Sequence, residues 1–174
     1  PDTTEGLDIM GRMLMHLWYR NFGDHEVLVS NQTVDVGDNQ AGVRWYELRD
    51  PGSNAYVFQQ GTFAPDEHHR WMGSVAMDGD GNMALGYSIS STSLYPGIRY
   101  TGRLQSDPLG TMPQGETQLV AGAAPQTHSY RWGDYSNMSV DPVDDCTFWY
   151  TQEYVTNSSQ RWRTRIGSFK FPSC

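Results

Sequence analysis

The sequence predicts an all-β protein, and three observations carry that prediction. A pattern about 60 residues long occurs twice: Ala64-Pro65, His68, Arg70-Trp71 and Asp78 recur in order as Ala124-Pro125, His128, Arg131-Trp132 and Asp141. The offsets are 60 for the Ala-Pro pair and the histidine, 61 for Arg-Trp and 63 for the aspartate, so the copies differ by small insertions. Self-similarity at a fixed period marks one supersecondary unit used repeatedly. Composition points the same way: charged residues are only 18% and aromatics reach 13%, with 18 Gly and 9 Pro, a bias toward sheets and turns and away from Glu- and Lys-rich helices. Finally, apolar residues alternate with small or polar ones between Gly, Asp, Asn and Pro clusters, the signal of short strands joined by hairpins.

The elements follow in order within a single all-β domain spanning 1–174. Residues 1–55 read as an incomplete unit. The stretch 10–19 is predicted as a strand or a short helix, because its Met and Leu spacing fits both. Residues 27–36 form a strand, Gly37-Asp38-Asn39 a turn, and 42–48 a strand with Val43, Trp45 and Glu47 on one face. His25 precedes Asp35 by ten residues, the separation of His68 from Asp78. Residues 56–116 make a full unit: strands at 56–63, 71–77, 83–90 and 98–103, with a tight turn at Asp78-Gly79-Asp80-Gly81-Asn82. Residues 117–174 repeat the order with strands at 117–121, 132–140, 146–155 and 162–169 and a turn over Asp141-Pro142.

Four short hairpin-linked strands, recurring, are predicted to be the four-stranded antiparallel blade of a β-propeller. About three units are present, whereas a propeller closes with roughly four to eight. The expectation is therefore a partial propeller, a piece of a longer protein or one completed by a second copy, since an open stack leaves unpaired strand edges.

The stretch from Arg70-Trp71 through Ser74-Val75-Ala76-Met77-Asp78, Gly81-Asn82 and Leu85-Gly86-Tyr87-Ser88 resembles blades of sialidase-like propellers. Arg131-Trp132-Gly133-Asp134-Tyr135 with Asp141-Pro142 and Cys146-Thr147-Phe148-Trp149-Tyr150 does so again, and the combination is similar to C-terminal regions of large secreted bacterial proteins of unknown function. The resemblance covers nearly the whole chain and implies the fold. It does not carry the activity: the family's S-x-D-x-G-x-T-W box has no intact copy, Met83 follows Gly79-Asp80-Gly81-Asn82 where Thr-Trp is needed, and the arginine cluster and tyrosine nucleophile have no matching positions.

The net charge of −8 argues against nucleic acid, whose binding needs a basic face, and against anionic membranes. No apolar run approaches the roughly 18 residues of a membrane span. Cys146 and Cys174 are the two cysteines; a disulfide tying the last residue to the body is expected, which places the protein in an oxidising, extracellular or periplasmic compartment. Three N-glycosylation sequons, at Asn31, Asn137 and Asn157, fit that location, and Pro1 without an initiator Met fits a processed piece.

Several residues are candidates for chemistry. Asp78, Asp80 and Asn82 have the alternation that opens a calcium loop, but Met83 replaces its glycine and Ile89 its bidentate glutamate, so the turn reading is favoured and no cofactor is expected. His25, His68, His69 and His128 would ligate a metal only if a ring arrangement brought them together; packing is the favoured role and no metal is assigned. Arg70, Trp71, Arg131 and Trp132, with His68 and His128, offer stacking planes and cations suited to sugars or their carboxylates. The competing role for these pairs is Trp packing between sheets and Arg pairing with an acid such as Asp134 or Glu67. Asp134 and Tyr135 are the catalytic candidates because they depart from the copied pattern just after the second Arg-Trp pair; Glu26 and Glu153 are further carboxylates for hydrolysis. The expected function is a secreted binding or scaffold module for polysaccharide or a surface protein, with a glycosidase or lyase segment as the alternative. Under the enzyme alternative, Asp134 and Tyr135 must lie near an arginine in an open cleft and not between sheets.

Overall fold

A computed structural model describes residues 13–14, 16–127, 129–157, 162–172 and 174. The described chain is all-β, with three antiparallel sheets. The first contains β1 (Trp18–Asn21), β2 (Glu26–Asp35), β3 (Ala41–Arg49) and β4 (Tyr56–Phe63) in sequential order. The second contains β5 (His69–Met77), β6 (Met83–Ser90), β7 (Gly97–Arg103) and β8 (Thr117–Val120), again sequential. The third has β9 (Asn137–Val140), β10 (Phe148–Tyr154) and β11 (Arg163–Phe169), with β10 in the middle.

The strands stand close to where the sequence predicts them, but their grouping differs by one strand. β4 pairs with β3 and closes the first sheet, so it does not open the unit expected over 56–116; likewise β8 closes the second sheet and does not open the third. The physical reason lies in the linkers. A hairpin carries the chain from Arg49 back to Tyr56 in register, whereas Ala64-Pro65 interrupts pairing after β4, because proline has no N–H for a ladder. In the stretch 10–19, β1 begins at Trp18 and Met13 forms an isolated bridge with Gln32; the residues before 13 lie outside the described set. The strand expected over 132–140 begins only at Asn137, because Gly133 adopts φ +60° and turns the chain.

The repeat is threefold, and its first copy sits elsewhere than the His25/Asp35 spacing suggests. Asn21, Asp78 and Asp141 each stand at the end of the first strand of a sheet. Their Oδ1 atoms accept the N–H two residues on: Gly23 at 2.7 Å, Asp80 at 3.0 Å and Val143 at 2.9 Å. Asn21, not Asp35, is therefore the counterpart of Asp78. These ends meet at one rim, where Arg20 donates to the Met77 carbonyl at 3.1 Å and to Asp145 at 2.7 and 2.6 Å.

The second sheet is buried on both faces. β6 shows why: Leu85 and Tyr87 pack toward Val27, Val29, Val43 and Trp45 of the first sheet, while Ala84 packs toward Met138, Phe148 and Tyr150 of the third. Large residues face one neighbour and small ones the other, and Gly86 leaves the space that the Tyr150 ring fills. A third cluster joins Ala41, Trp71, Met72, Ala124, Trp132 and Val155; Leu14, which stands where the threefold repeat places a counterpart of the two tryptophans, packs against it.

β5 carries a bulge between Trp71 and Ser74. Met72 there is fully buried yet left-handed, at φ +48°. Its N–H donates to Thr33 Oγ1 in the first sheet at 3.3 Å, and its carbonyl accepts from Ser136 Oγ and Gln152 Nε2 on the side of the third at 3.1 and 3.0 Å. Gly133, one residue after Trp132, repeats the left-handed turn that Met72 makes after Trp71. The expected disulfide is present: Cys146 and Cys174, 28 positions apart in sequence, are joined, with Cα atoms 5.8 Å apart.

Two outcomes are expected in denaturant titrations. Replacing Trp132, 1% exposed, by Ala costs about 3–5 kcal/mol. Reducing the disulfide costs about 3–4 kcal/mol, the loop-closure value for this separation, and intact mass rises by two hydrogens on reduction.

Candidate functional site

The loop between β8 and β9 places its side chains alternately inward and outward. Trp132 turns in, and its Nε1 donates to Ser88 Oγ at 2.8 Å. Arg131 and Tyr135 remain at the surface, Tyr135 being 77% exposed. Arg131 forms an ion pair with Asp134. This loop, the Thr151–Glu153 part of β10 and the approach to β11 enclose an open cavity of about 600 Å³. Arg131, Asp134, Tyr135, Glu153 and Trp162 line it, and Trp162 is 56% exposed.

Glu153 is the chemically distinctive group. Its Oε2 accepts the Gly133 N–H at 2.9 Å, while Oε1 is buried without a hydrogen-bond partner. Burial raises the pKa of this carboxyl, the Gly133 N–H partly offsets the effect, and the negative charge of Asp134 raises it further. A carboxyl that holds its proton more tightly than usual, beside an ion-paired carboxylate, is a starting point for acid–base chemistry. The left-handed Gly133 is needed here, since a Cβ at that position would stand 2.7 Å from Gln152 Oε1.

The sequence-derived candidates divide. Asp134 and Tyr135 do lie in an open cleft beside an arginine, and neither is packed between sheets. Arg131 lines the same cleft. Arg70, Trp71 and Trp132 do not meet the expectation of ligand-stacking planes: all three are fully buried. Trp71 and Trp132 pack on each other at 6.4 Å between ring centroids. Arg70 is the centre of an ion-pair network, bonded through Nη1 and Nη2 to Asp66 at 2.7 and 2.9 Å and through Nε to Glu116 at 2.8 Å. Glu116 also accepts from Tyr87 and Arg99. Burial works against the Arg70 charge, but its bonds to Asp66 and Glu116 outweigh that and raise its pKa; the same Arg70 bonds hold Asp66 down at about 2. This arginine is structural.

His68 donates its backbone N–H to Asp66, and its buried Nδ1 has no partner. His69 Nδ1 accepts the Ala41 N–H at 3.3 Å, His25 pairs with Asp24, and His128 lies outside the described residues. Glu26 accepts from Tyr19 on the first sheet and is not in the cavity. The calcium alternation over Asp78, Asp80 and Asn82 is a turn: Asp78 accepts the N–H groups of Asp80 and Asn82 and the Asn82 side chain. Among the described residues no three His, Cys, Asp or Glu side chains gather to hold a metal.

Trp162 is not among the sequence-derived candidates. Its signal was an aromatic opening a stretch, Arg163-Thr164-Arg165, too polar on both faces for a buried strand, which marks an exposed edge where a tryptophan has no packing role. No protein-family model, no curated protein and no solved structure matches the chain.

The raised Glu153 pKa fixes the sign of one pH effect. A carboxyl bound more tightly to its proton in the folded state opposes folding once pH exceeds its unfolded value near 4.3. Glu153→Gln is therefore expected to be more stable than the parent at pH 7, with the difference vanishing as pH falls below about 4. Melting temperatures across pH 3–8 check this; a difference that persists in acid contradicts it.

Proposed function

We propose that this chain binds carbohydrate in the cavity beside β10, as a module of a secreted protein whose three sheets are blades of a β-propeller. One observation carries the reading: two exposed rings, Tyr135 and Trp162, border a cavity that also holds Arg131, Asp134 and Glu153. A sugar presents an apolar C–H face and a rim of hydroxyls. Aromatic planes match the face, and charged groups make the stronger, charge-assisted hydrogen bonds to the rim. Large exposed aromatics lack a packing explanation, unlike Trp71 and Trp132. The disulfide supports an oxidising, extracellular or periplasmic setting. The remaining blades come from elsewhere in the parent chain or from a second copy. A protein surface is the other ligand class for an aromatic-bordered cleft of this kind.

The raised pKa of Glu153 favours a second reading, a glycosidase or lyase segment, in which Glu153 supplies a proton and Asp134 acts as the ionised partner.

A polysaccharide and glycan array separates these. Binding is expected, with Trp162→Ala and Tyr135→Ala each weakening it about tenfold or more, the scale of one good stacking contact at roughly 1.4 kcal/mol. An array without hits, or hits that both variants leave unchanged, contradicts the proposal. Release of reducing ends or unsaturated products that disappears in Glu153→Gln and Asp134→Asn replaces binding with catalysis.

A further inference from the structure

We infer that the outer edge of β11 is an interaction surface for an extended acidic segment of a partner polypeptide, which joins the third sheet as its fourth strand. The first and second sheets have four strands each and close on β4 and β8. The third stops one strand earlier: β11 pairs with β10 and, among the described residues, with no strand on its other side. The place that β4 and β8 take beside β3 and β7 is thus open beside β11. The N–H and C=O groups of such an edge are a template on which an extended peptide adds. Because β4 and β8 run antiparallel to the strands they cover, the added strand runs antiparallel to β11.

The charge of that edge selects the partner. Arg161, Arg163, Arg165 and Lys170 are four of the 12 Lys and Arg in a chain of net charge −8, and no Asp or Glu follows Glu153. Lys170 acts on Asp144. Arg163 and Arg165 are exposed and, among the described residues, form no ion pair. Their cross-strand partners are Tyr154 and Gln152, neither of them an acid. Glu153 lies across from Thr164 and therefore on the opposite face, where it accepts the Gly133 N–H; Asp134 is held by Arg131, and Glu116 by Arg70 and Arg99. On the arginine face, Gly167 and Phe169 continue the row against Leu119 and Tyr100 of the second sheet, so the two arginines occupy its free end. An added strand sets its own residues directly opposite on the same face, with Cβ atoms about 4.5–5.5 Å away. Acidic residues at two alternate positions then meet both guanidinium groups in charge-assisted hydrogen bonds.

Charged side chains also guard edge strands against pairing. Arginines, however, repel basic strands and admit acidic ones, so they choose a partner and do not close the edge to all. On the other face Ile166, at the middle of β11, is 65% exposed and offers the added strand an apolar cross-strand contact. A second copy of this chain does not fit. Antiparallel pairing of β11 with itself gathers four arginines on one face, where like charges are destabilising. The edge strand β4 carries no charged residue and gives the arginines no counter-charge.

The test is fluorescence anisotropy of a labelled octapeptide in which Glu alternates with Val, titrated with the intact, disulfide-bonded protein. Three other probes are run at matched ionic strength: the same peptide with Lys for Glu, the Glu peptide with every backbone nitrogen methylated, and an oligogalacturonate. Saturable binding of the Glu peptide is expected, with slowed hydrogen exchange in β11, and the double variant Arg163→Ala/Arg165→Ala weakens it about tenfold. The Lys and methylated peptides are expected not to bind. No saturation by the Glu peptide, or binding that the double variant leaves unchanged, overturns the proposal. Equal binding of the methylated peptide reduces the edge to a charge attraction and overturns strand addition. Oligogalacturonate that binds more tightly than the peptide, with the same dependence on the two arginines, makes the edge a polysaccharide track and overturns it as well. The double variant retains Tyr135 and Trp162, so this result and that of the glycan array fail independently.

Discussion

Met72 is where the three sheets are tied together. A bulge in β5 releases its backbone N–H and carbonyl from the ladder, and both are buried, so each must find another partner. They find them in opposite directions, Thr33 in the first sheet and Ser136 and Gln152 beside the third. The left-handed backbone of a non-glycine residue costs about 1–2 kcal/mol, and the contacts of one fully buried methionine hold it there. The same bulge brings Gly73 against Asn31 and Val43, where a Cβ would stand 2.7 Å from each. Two residues on, Ser74 Oγ accepts the Met138 N–H at 2.8 Å. The edge strand β5 of the second sheet thus supplies polar ties to both neighbouring sheets within three residues.

The cavity inherits its geometry from that tie. Gln152 holds the Met72 carbonyl through Nε2, and its Oε1 accepts the N–H of Glu153 at 2.8 Å. On the opposite wall, Trp132 is anchored to Ser88, so the loop that follows must turn at Gly133 and present Asp134 and Tyr135 outward. The corresponding indole of the second sheet, Trp71, has an unpartnered Nε1, and the neighbouring Asn31 has an unpartnered amide nitrogen. The copy nearer the cavity is the one with its tryptophan fully anchored.

Strands and hairpins were legible because turn residues punctuate them; β4 and β6 fall on the predicted residues. The grouping into sheets was not legible, since alternation within β4 reads the same whether it pairs with β3 or with β5. The decisive feature was Pro65 at the junction, visible but assigned to the end of a strand and not to the end of a sheet. The doublet Arg-Trp announced a repeated scaffold, and repetition itself weighed against a ligand role, as the burial of Arg70, Trp71 and Trp132 bears out. Asp134 and Tyr135 drew attention by breaking the copy. Glu153 was noted only as one carboxylate among several, because its buried, half-satisfied state depends on Gly133 twenty residues away.

Hydrogen exchange at the Met72 amide tests the central claim most directly. If its N–H is the tie between sheets, it exchanges as slowly as the core amides of β6, through global unfolding, and Thr33→Val speeds it by an order of magnitude or more. Rapid exchange of Met72 in the parent protein, on the scale of exposed loop amides, would contradict the account.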